Sequence, residues 1–236
     1  MFLKFARKKN RHFLLSFFYK LDKFFPLSNK RKFKLYLDLE WIFERLAHEK
    51  SFQEFKNHPI RSKAFFFLKS KLHPNFNVLD LGCNTGDLTY LISIQTKMVV
   101  GIDFNRELIM KAQQNFAREN LQFLHGEAMT YLGENTQRFD VLVLSHILEH
   151  LDTPILFLQD FKKFFTFIYI EVPDFERTPL NSYRQELNAS LIYSDSDHIW
   201  EFDRVGIITI MNEAGLEILD SEYRHGVQKY WCKVTN

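Results

Sequence analysis

Short unbroken apolar runs alternate along this chain with stretches whose apolar residues recur every three or four positions, the pattern of buried strands interleaved with amphipathic helices. Residues 78–81, 98–102, 121–124 and 167–172, together with the opening of segment 139–151, are such runs. Their lack of polar alternation marks strands covered on both faces, as parallel strands are. Helices are predicted at 87–94 and 106–119, and again at 204–214, where Gly215 supplies the stop. Two further strands, 216–223 and 228–234, flank a short connection containing Gly226 and read as a closing hairpin. Between 173 and about 199 the pattern lapses into a long irregular stretch, a length that in compact domains often belongs to a functional lid. Upstream, Phe13, Leu14, Phe17, Phe18, Leu21, Phe24 and Phe25 share one helical face, and Pro26 breaks that helix. Helical spacing resumes over 35–55 through Leu39, Ile42, Phe43 and Leu46, breaks at His58-Pro59, and returns briefly over 64–72. Strand and helix in regular alternation predict an α/β domain over 73–236, preceded by a helical extension over 1–72.

Charge sharpens the picture of that extension. The net charge of +2 over 236 residues conceals an asymmetry, since residues 1–35 hold eleven Lys or Arg and eight Phe against one acid, Asp22. A basic amphipathic helix reads as a binder of anionic membrane surfaces, each nearby Lys or Arg contributing about 1 kcal/mol. The competing reading packs the stripe on the domain or a second subunit. A signal peptide fits less well, because the apolar part is short and lacks a small-residue cleavage site. The acidic balance of the remaining chain argues against a broad nucleic-acid surface. No run of 18 apolar residues exists, so no membrane span is expected. Two cysteines, Cys83 and Cys232, cannot build a disulfide framework or a zinc site, and point to a reducing, cytoplasmic setting.

The chemistry concentrates in Val78-Leu79-Asp80-Leu81-Gly82-Cys83-Asn84-Thr85-Gly86, followed by Asp103 at the end of the second predicted strand. Glycines at 82 and 86 suit a turn of positive φ close to a ligand, and the helix behind the turn presents unpaired N–H groups. Asp103 stands 21 residues after Gly82, the interval at which a carboxylate can accept two ribose hydroxyls. The chain has neither G-x-G-x-x-G nor a Lys-Ser/Thr pair in this turn, which leaves a dinucleotide or a triphosphate poorly served. Cys83 is read as a small packing residue of the motif.

This motif resembles the first motif of class I S-adenosylmethionine-dependent methyltransferases, hydrophobic-Asp-x-Gly-Cys-x-x-Gly, with Asn84 where a middle glycine is usual. Asn tolerates the left-handed region. The resemblance covers about residues 73–236 and implies a Rossmann-like seven-stranded sheet of order 3-2-1-4-5-7-6, the last strand antiparallel. It also implies S-adenosylmethionine as methyl donor, with Asp80, Gly82, Cys83, Asn84, Gly86, Asp103 and the neighbouring Phe104 around it. Glu127 and Ala128, after the third strand, take the place of the acid and amide beside the adenine. Ser145-His146-Ile147-Leu148-Glu149-His150 is similar to the family's segment after the fourth strand, which places Ser145 and His146 near the donor. His150 becomes a candidate base, because the reference pKa of an imidazole lies close to neutrality. Asp197-His198-Ile199-Trp200 resembles the His-containing segment before the last helix of small-molecule and glycan methyltransferases, so His198 is the second candidate. For both histidines a bracing role competes with catalysis, and Trp41, His48 and Arg61 are read as packing or surface residues.

The resulting expectation is methyl transfer to a small-molecule, sugar or lipid-linked acceptor, at oxygen, without a metal, since no cluster of ligand-type residues has metal-binding spacing. Asn/Asp-Pro-Pro-aromatic, typical of amino-methylating enzymes, is absent after the fourth strand. Two other classes are consistent with parts of the sequence: a non-catalytic binding module carried to a membrane or partner, and a nicotinamide-dependent Rossmann enzyme. The sequence leaves the oligomeric state open.

Overall fold

The structure, a computed structural model, describes residues 13–50, 61–134, 137–192, 195 and 197–235, with residues 61–64 described by their backbone. The basic residues before position 13, the expected helical continuation to 55, the break at His58-Pro59, Tyr193 of the expected lid and the Arg61 side chain lie outside the described set. The chain divides into two compact units, Met1–Glu44 and Arg45–Asn236.

α1 spans Phe13–Phe24, and α2 begins at Asn29, six residues before the onset expected from apolar spacing, and runs to Lys50. The Tyr36 hydroxyl donates to Asp22 Oδ1 at 2.5 Å, and the Lys32 ammonium donates to the Asp22 carbonyl. These bonds tie α1 to α2, and the bond from Tyr36, then Lys32, holds the Asp22 carboxyl below its ordinary pKa. Helix α1 buries none of its residues.

The second unit is built on seven strands: β1 Asn77–Leu81, β2 Met98–Asp103, β3 Leu121–His125, β4 Val141–Ser145, β5 Phe167–Pro173, β6 Leu216–Arg224 and β7 Val227–Val234. Their spatial order is β3-β2-β1-β4-β5-β7-β6, as the family resemblance implies. The first five run parallel, while β7 lies antiparallel between β5 and β6. Every turn leaving β1 to β5 therefore opens on one edge, the edge where ligands of open α/β sheets bind.

The period of two along each strand divides the core. Val78, Val99, Val141, Val143, Tyr169 and Trp231 face a layer containing Phe65, Phe67 and Leu68 of α3 (Arg61–Lys69) and Ile92 of α4 (Asp87–Ser93). Their neighbours Leu79, Val100, Leu142, Leu144, Ile168 and Ile170 belong to the opposite layer, with Leu132, Leu158, Phe161, Ile207 and Met211. α5 spans Arg106–Asn115, capped by the Asn105 side chain, and α6 spans Ala128–Glu134. α7 is Pro154–Lys162, and α9 is Arg204–Glu213, capped by Asp203.

Two expectations are corrected. The helix predicted to 119 ends at Asn115, because Phe116 is extended and stacks its ring on Tyr90 with centroids 4.8 Å apart. The stretch after β5 is not irregular throughout: a single 3₁₀ turn, Phe175–Arg177, leads into α8, Pro179–Glu186. The Thr178 hydroxyl accepts the Leu180 amide and Pro179 opens the helix, a start signal written in the sequence. The expected closing hairpin is present; His225 and Gly226 both take positive φ, 62° and 79°, as a two-residue type I′ turn requires.

Candidate functional site

The glycine turn expected to hold the donor is assembled where β1 and β2 end. The Gly82 and Cys83 amides donate to the Ile102 carbonyl, which draws the turn over the end of β2. Asp103 completes it: Oδ2 accepts the Asn84 amide at 2.9 Å and Oδ1 accepts the Asn105 amide at 2.8 Å. A carboxylate offers about four lone-pair sites, so two remain for a ligand. Asn84 sits at φ 51°, in the left-handed region its side chain tolerates.

Both motif glycines are demanded from within the protein. At Gly82, φ 70°, an added Cβ would stand 2.4 Å from Ile147 Cδ1; at Gly86, φ 82°, it would stand 2.5 Å from the Phe123 ring. Cys83 packs with Ile109, Ala112 and Phe123, and burial pushes its thiol pKa far up, consistent with a packing residue. Asp80 is buried beneath the turn and accepts the Thr89 hydroxyl at 2.7 Å. Burial raises its pKa to about 7 against the lowering effect of that bond, with the Asp103 charge adding to the rise.

Around this cradle, Phe104 projects from the end of β2, 85% exposed, while its carbonyl meets His125 Nε2 at 3.0 Å. Glu127 accepts the Thr130 hydroxyl at 2.9 Å, and Ala128 is buried at the start of α6.

A second polar assembly forms where β4 and β5 end side by side, Ser145 paired with Glu171. His146, at φ 57°, places Nδ1 3.0 Å from Glu149 Oε1 and Nε2 3.4 Å from Glu171 Oε1. Burial works against its charge, but these two carboxylates favour the protonated ring and carry its pKa up to about 10. Glu171 also accepts the Tyr169 hydroxyl at 2.5 Å. Burial would raise the Glu171 pKa, yet its bond to His146 brings it below the ordinary value.

The two candidate bases meet. Leu148–His150 forms one 3₁₀ turn, and the Ile199 and Trp200 amides both donate to the Glu149 carbonyl, at 2.8 and 3.1 Å. The Trp200 indole N–H donates to the Leu151 carbonyl at 2.8 Å. Those bonds bring the His150 and His198 rings edge to face, centroids 4.9 Å apart. His150 Nδ1 lies 3.2 Å from the Asp197 carbonyl, and His198 Nδ1 lies 3.0 Å from Glu201 Oε1. Burial opposes protonation of His198, and the Glu201 bond outweighs it, raising the pKa.

Of the residues named from sequence, Asp80, Gly82, Cys83, Asn84, Gly86 and Asp103 form one connected unit, with Phe104 adjoining. Ser145 and His146 join a different network, whose members Tyr169 and Glu171 sequence reading passed over. The polar residue closing an apolar strand, Glu171 before Val172-Pro173, is the signal that could have revealed it. Within the stretch expected to form a lid, Tyr183 is exposed on α8, whereas Arg184 is buried and donates to Asn181 Oδ1 at 2.9 Å.

Comparison with known proteins agrees with this fold. A family model described as a methyltransferase domain matches residues 21–221. A ubiquinone biosynthesis O-methyltransferase of Haemophilus ducreyi is 29% identical over 134 residues, 51% of this chain and 56% of the relative. A demethylmenaquinone methyltransferase of Lactobacillus johnsonii is 35% identical over 86 residues, 34% of this chain and 35% of the relative. The matches to these two curated relatives thus span about half or less of their length. Among solved structures, magnesium protoporphyrin IX methyltransferase of Synechocystis with bound SAH aligns with a TM-score of 0.58 at 14% identity, covering 82% of this chain and 94% of that one. A SAM-dependent methyltransferase of Aquifex aeolicus aligns at 0.57 and 13% identity, covering 81% and 98%. The chain belongs to the methyltransferase-domain family, and its sheet is that of the class I S-adenosylmethionine-dependent methyltransferases.

Proposed function

We propose that this protein transfers the methyl group of S-adenosylmethionine to a hydroxyl oxygen of a small-molecule, sugar or lipid-linked acceptor. The observation that carries the reading is that Asp103, at the end of β2, and the His150–His198 pair, beyond the end of β4, lie toward the edge of the sheet where its parallel strands end. S-adenosylmethionine supplies an electrophilic methyl on its sulfonium, so the protein's work is to hold an acceptor in line and exclude water. In this reading Asp103 accepts the ribose hydroxyls and Phe104, Glu127 and the Ala128 amide border the adenine. Gly82, Cys83, Asn84 and Gly86 offer main chain to the donor, and Asp80 supports that turn from below. Ser145 and His146 stand beside the donor, and His150 with His198 handles the acceptor hydroxyl. The O-methyltransferase names of the relatives from ubiquinone biosynthesis support oxygen as the receiving atom and a quinone precursor among the acceptors.

Residues 73–236 carry the donor and the chemistry in this proposal, and residues 1–72 deliver the chain to its acceptor. Helix α1 supports that division: Phe13, Phe17, Phe18 and Phe24 are exposed beside Lys20 and Lys23. Such a helix suits an anionic membrane surface holding a lipid-linked or quinone-like acceptor. Among the described residues no helix is long and apolar enough to cross a membrane.

A thermal-shift comparison of S-adenosylmethionine, S-adenosylhomocysteine, NAD and NADP tests the donor. The first two are expected to stabilise the chain by about 2.7 kcal/mol at 100 times their dissociation constant; stabilisation by a dinucleotide instead overturns the assignment. Untargeted mass spectrometry for a 14-dalton gain then identifies the acceptor. Deletion of residues 1–35 is expected to abolish sedimentation with anionic liposomes, and unchanged partitioning removes the membrane role.

A further inference from the structure

We infer that Glu149, His150 and His198 bind a divalent first-row transition metal. One donor atom of each lies within 4.8 Å of those of the other two, and a second group, Asp195, Asp197 and His198, adjoins it through the shared histidine. Glu149 is the observation that points to a cation. Its side chain is fully buried; Oε1 faces His146, and Oε2 is buried without a hydrogen-bond partner. A buried carboxylate oxygen left unpaired is costly, and bound metal is one of the few arrangements that remove the cost.

Both histidines are held through Nδ1. Each has Nδ1 engaged with an oxygen, of the Asp197 carbonyl for His150 and of the Glu201 carboxylate for His198. In the neutral tautomer that donates through Nδ1, the lone pair sits on Nε2. Metal-ligating imidazoles are held in this way by a carbonyl or carboxylate behind them. The Ile199 and Trp200 amides fix the distance between the two histidine segments through the Glu149 carbonyl, so the cluster belongs to the folded backbone rather than to two mobile side chains. Two imidazoles and one carboxylate favour zinc, manganese, iron or cobalt over magnesium, which prefers oxygen ligands and retains water. Asp197, with an oxygen 3.6 Å from His150 Nδ1, borders the site. Linear spacing, from which metal independence is expected, cannot show a ligand set that joins residues 149–150 to residue 198.

Here the inference deepens the proposed methyl transfer and rests on it for its consequence. A metal with an open position lowers the pKa of a bound hydroxyl. The acceptor O–H then releases its proton to solvent, the oxygen forms a bond to the methyl carbon, and the carbon–sulfur bond breaks toward sulfur. The imidazoles in this arrangement act as ligands, and the metal does the work otherwise asked of a base.

The test uses the full, untagged chain, chelator-treated and dialysed, titrated with Zn²⁺ and separately with Mn²⁺ by calorimetry, with elemental analysis for stoichiometry. One metal per chain is expected, with affinity falling at least 100-fold in Glu149→Gln and in His198→Gln. Co²⁺ substitution reports the ligand set by its visible spectrum, which is expected to change in either variant. Binding of S-adenosylhomocysteine, measured on the same preparations, is expected to persist, which separates loss of the metal site from failure of the donor assignment and from misfolding. A folded chain that binds the donor product but takes up no stoichiometric metal overturns the inference. So does metal uptake indifferent to both substitutions.

Discussion

The proposed donor half and the proposed acceptor half of the site are built by different means. Asp80 to Gly86 and Asp103 to Asn105 lie on successive strand ends, joined through main-chain amides that donate to the Ile102 carbonyl and to the Asp103 carboxylate. The acceptor half joins three separated segments, 145–151, 169–171 and 195–201, largely through side chains and two amides that reach the Glu149 carbonyl. A site made of backbone turns constrains residue type tightly, because φ and the space at Cβ decide what fits. A site made of converging side chains leaves its partners free to vary, so the acceptor can differ between proteins that share the same donor.

The largest expected effect breaks the donor half. Asp103→Ala removes a carboxylate that accepts two amides in the free protein and, in the proposed complex, two hydroxyls as well. Hydrogen bonds to a charged group are worth about 1.5–3 kcal/mol each, so loss of two toward the ligand is expected to weaken S-adenosylhomocysteine by more than 100-fold in calorimetry. An unchanged dissociation constant would show that the seated carboxylate serves the turn alone.

Asp80→Asn sharpens the same half through pH. The Asp80 pKa is raised from 3.8 to about 7 in the fold, burial being the main cause. The native state therefore holds a proton that the unfolded chain has released, and stability from this group is full below pH 4 and lost as pH rises through 7. The shift corresponds to at most about 4 kcal/mol. Asn, which keeps an acceptor for Thr89 without the charge, is expected to stabilise the free protein at pH 8 and to converge with the parent near pH 4, in chemical denaturation at both values. A difference independent of pH would refute the cause assigned.

Gly82→Ala tests whether the glycine is set by the protein rather than by the ligand. A left-handed φ costs a non-glycine residue about 1–2 kcal/mol, and overpacking against Ile147 about as much again. A loss of about 2–4 kcal/mol is expected, and combination with Ile147→Ala should recover the steric part and leave the backbone part. Failure of the second substitution to recover anything would move the clash elsewhere.

How much could be read beforehand follows the same division. The strands, the glycine turn, Asp103 and the hairpin at Gly226 were legible because strand runs and turn residues are local, whereas the order of the strands in the sheet was implied by the family resemblance alone. Asn115 as the end of α5 was not, since a tertiary stack of Phe116 on Tyr90 decides it. Thr178-Pro179 did announce α8, but the polar residues around it masked the signal. His150 and His198 could each be picked out by resemblance, whereas their meeting, with the buried Glu149 beside them, depends on amides of Ile199 and Trp200 that no residue type reveals.

The smallest expected effect isolates the acceptor half. Trp200→Phe deletes the indole N–H that donates to the Leu151 carbonyl, while an aromatic ring is kept to stack on Phe202, where the centroids are 6.4 Å apart. One neutral hydrogen bond is worth about 1 kcal/mol net, and Trp200 is partly exposed, so water can replace the donor at Leu151. Global stability is therefore expected to fall by about 1 kcal/mol or less. The local consequence should be larger than the global one, because Trp200 also carries one of the two amides that hold the segment to Glu149. Hydrogen exchange should quicken in residues 197–201 and in the turn at 148–151, while the Asn84 and Asn105 amides bound to Asp103 keep their protection. Equal acceleration at Asn84 and Asn105 would mean that the two halves open together, and the separation of donor site from acceptor site would fail.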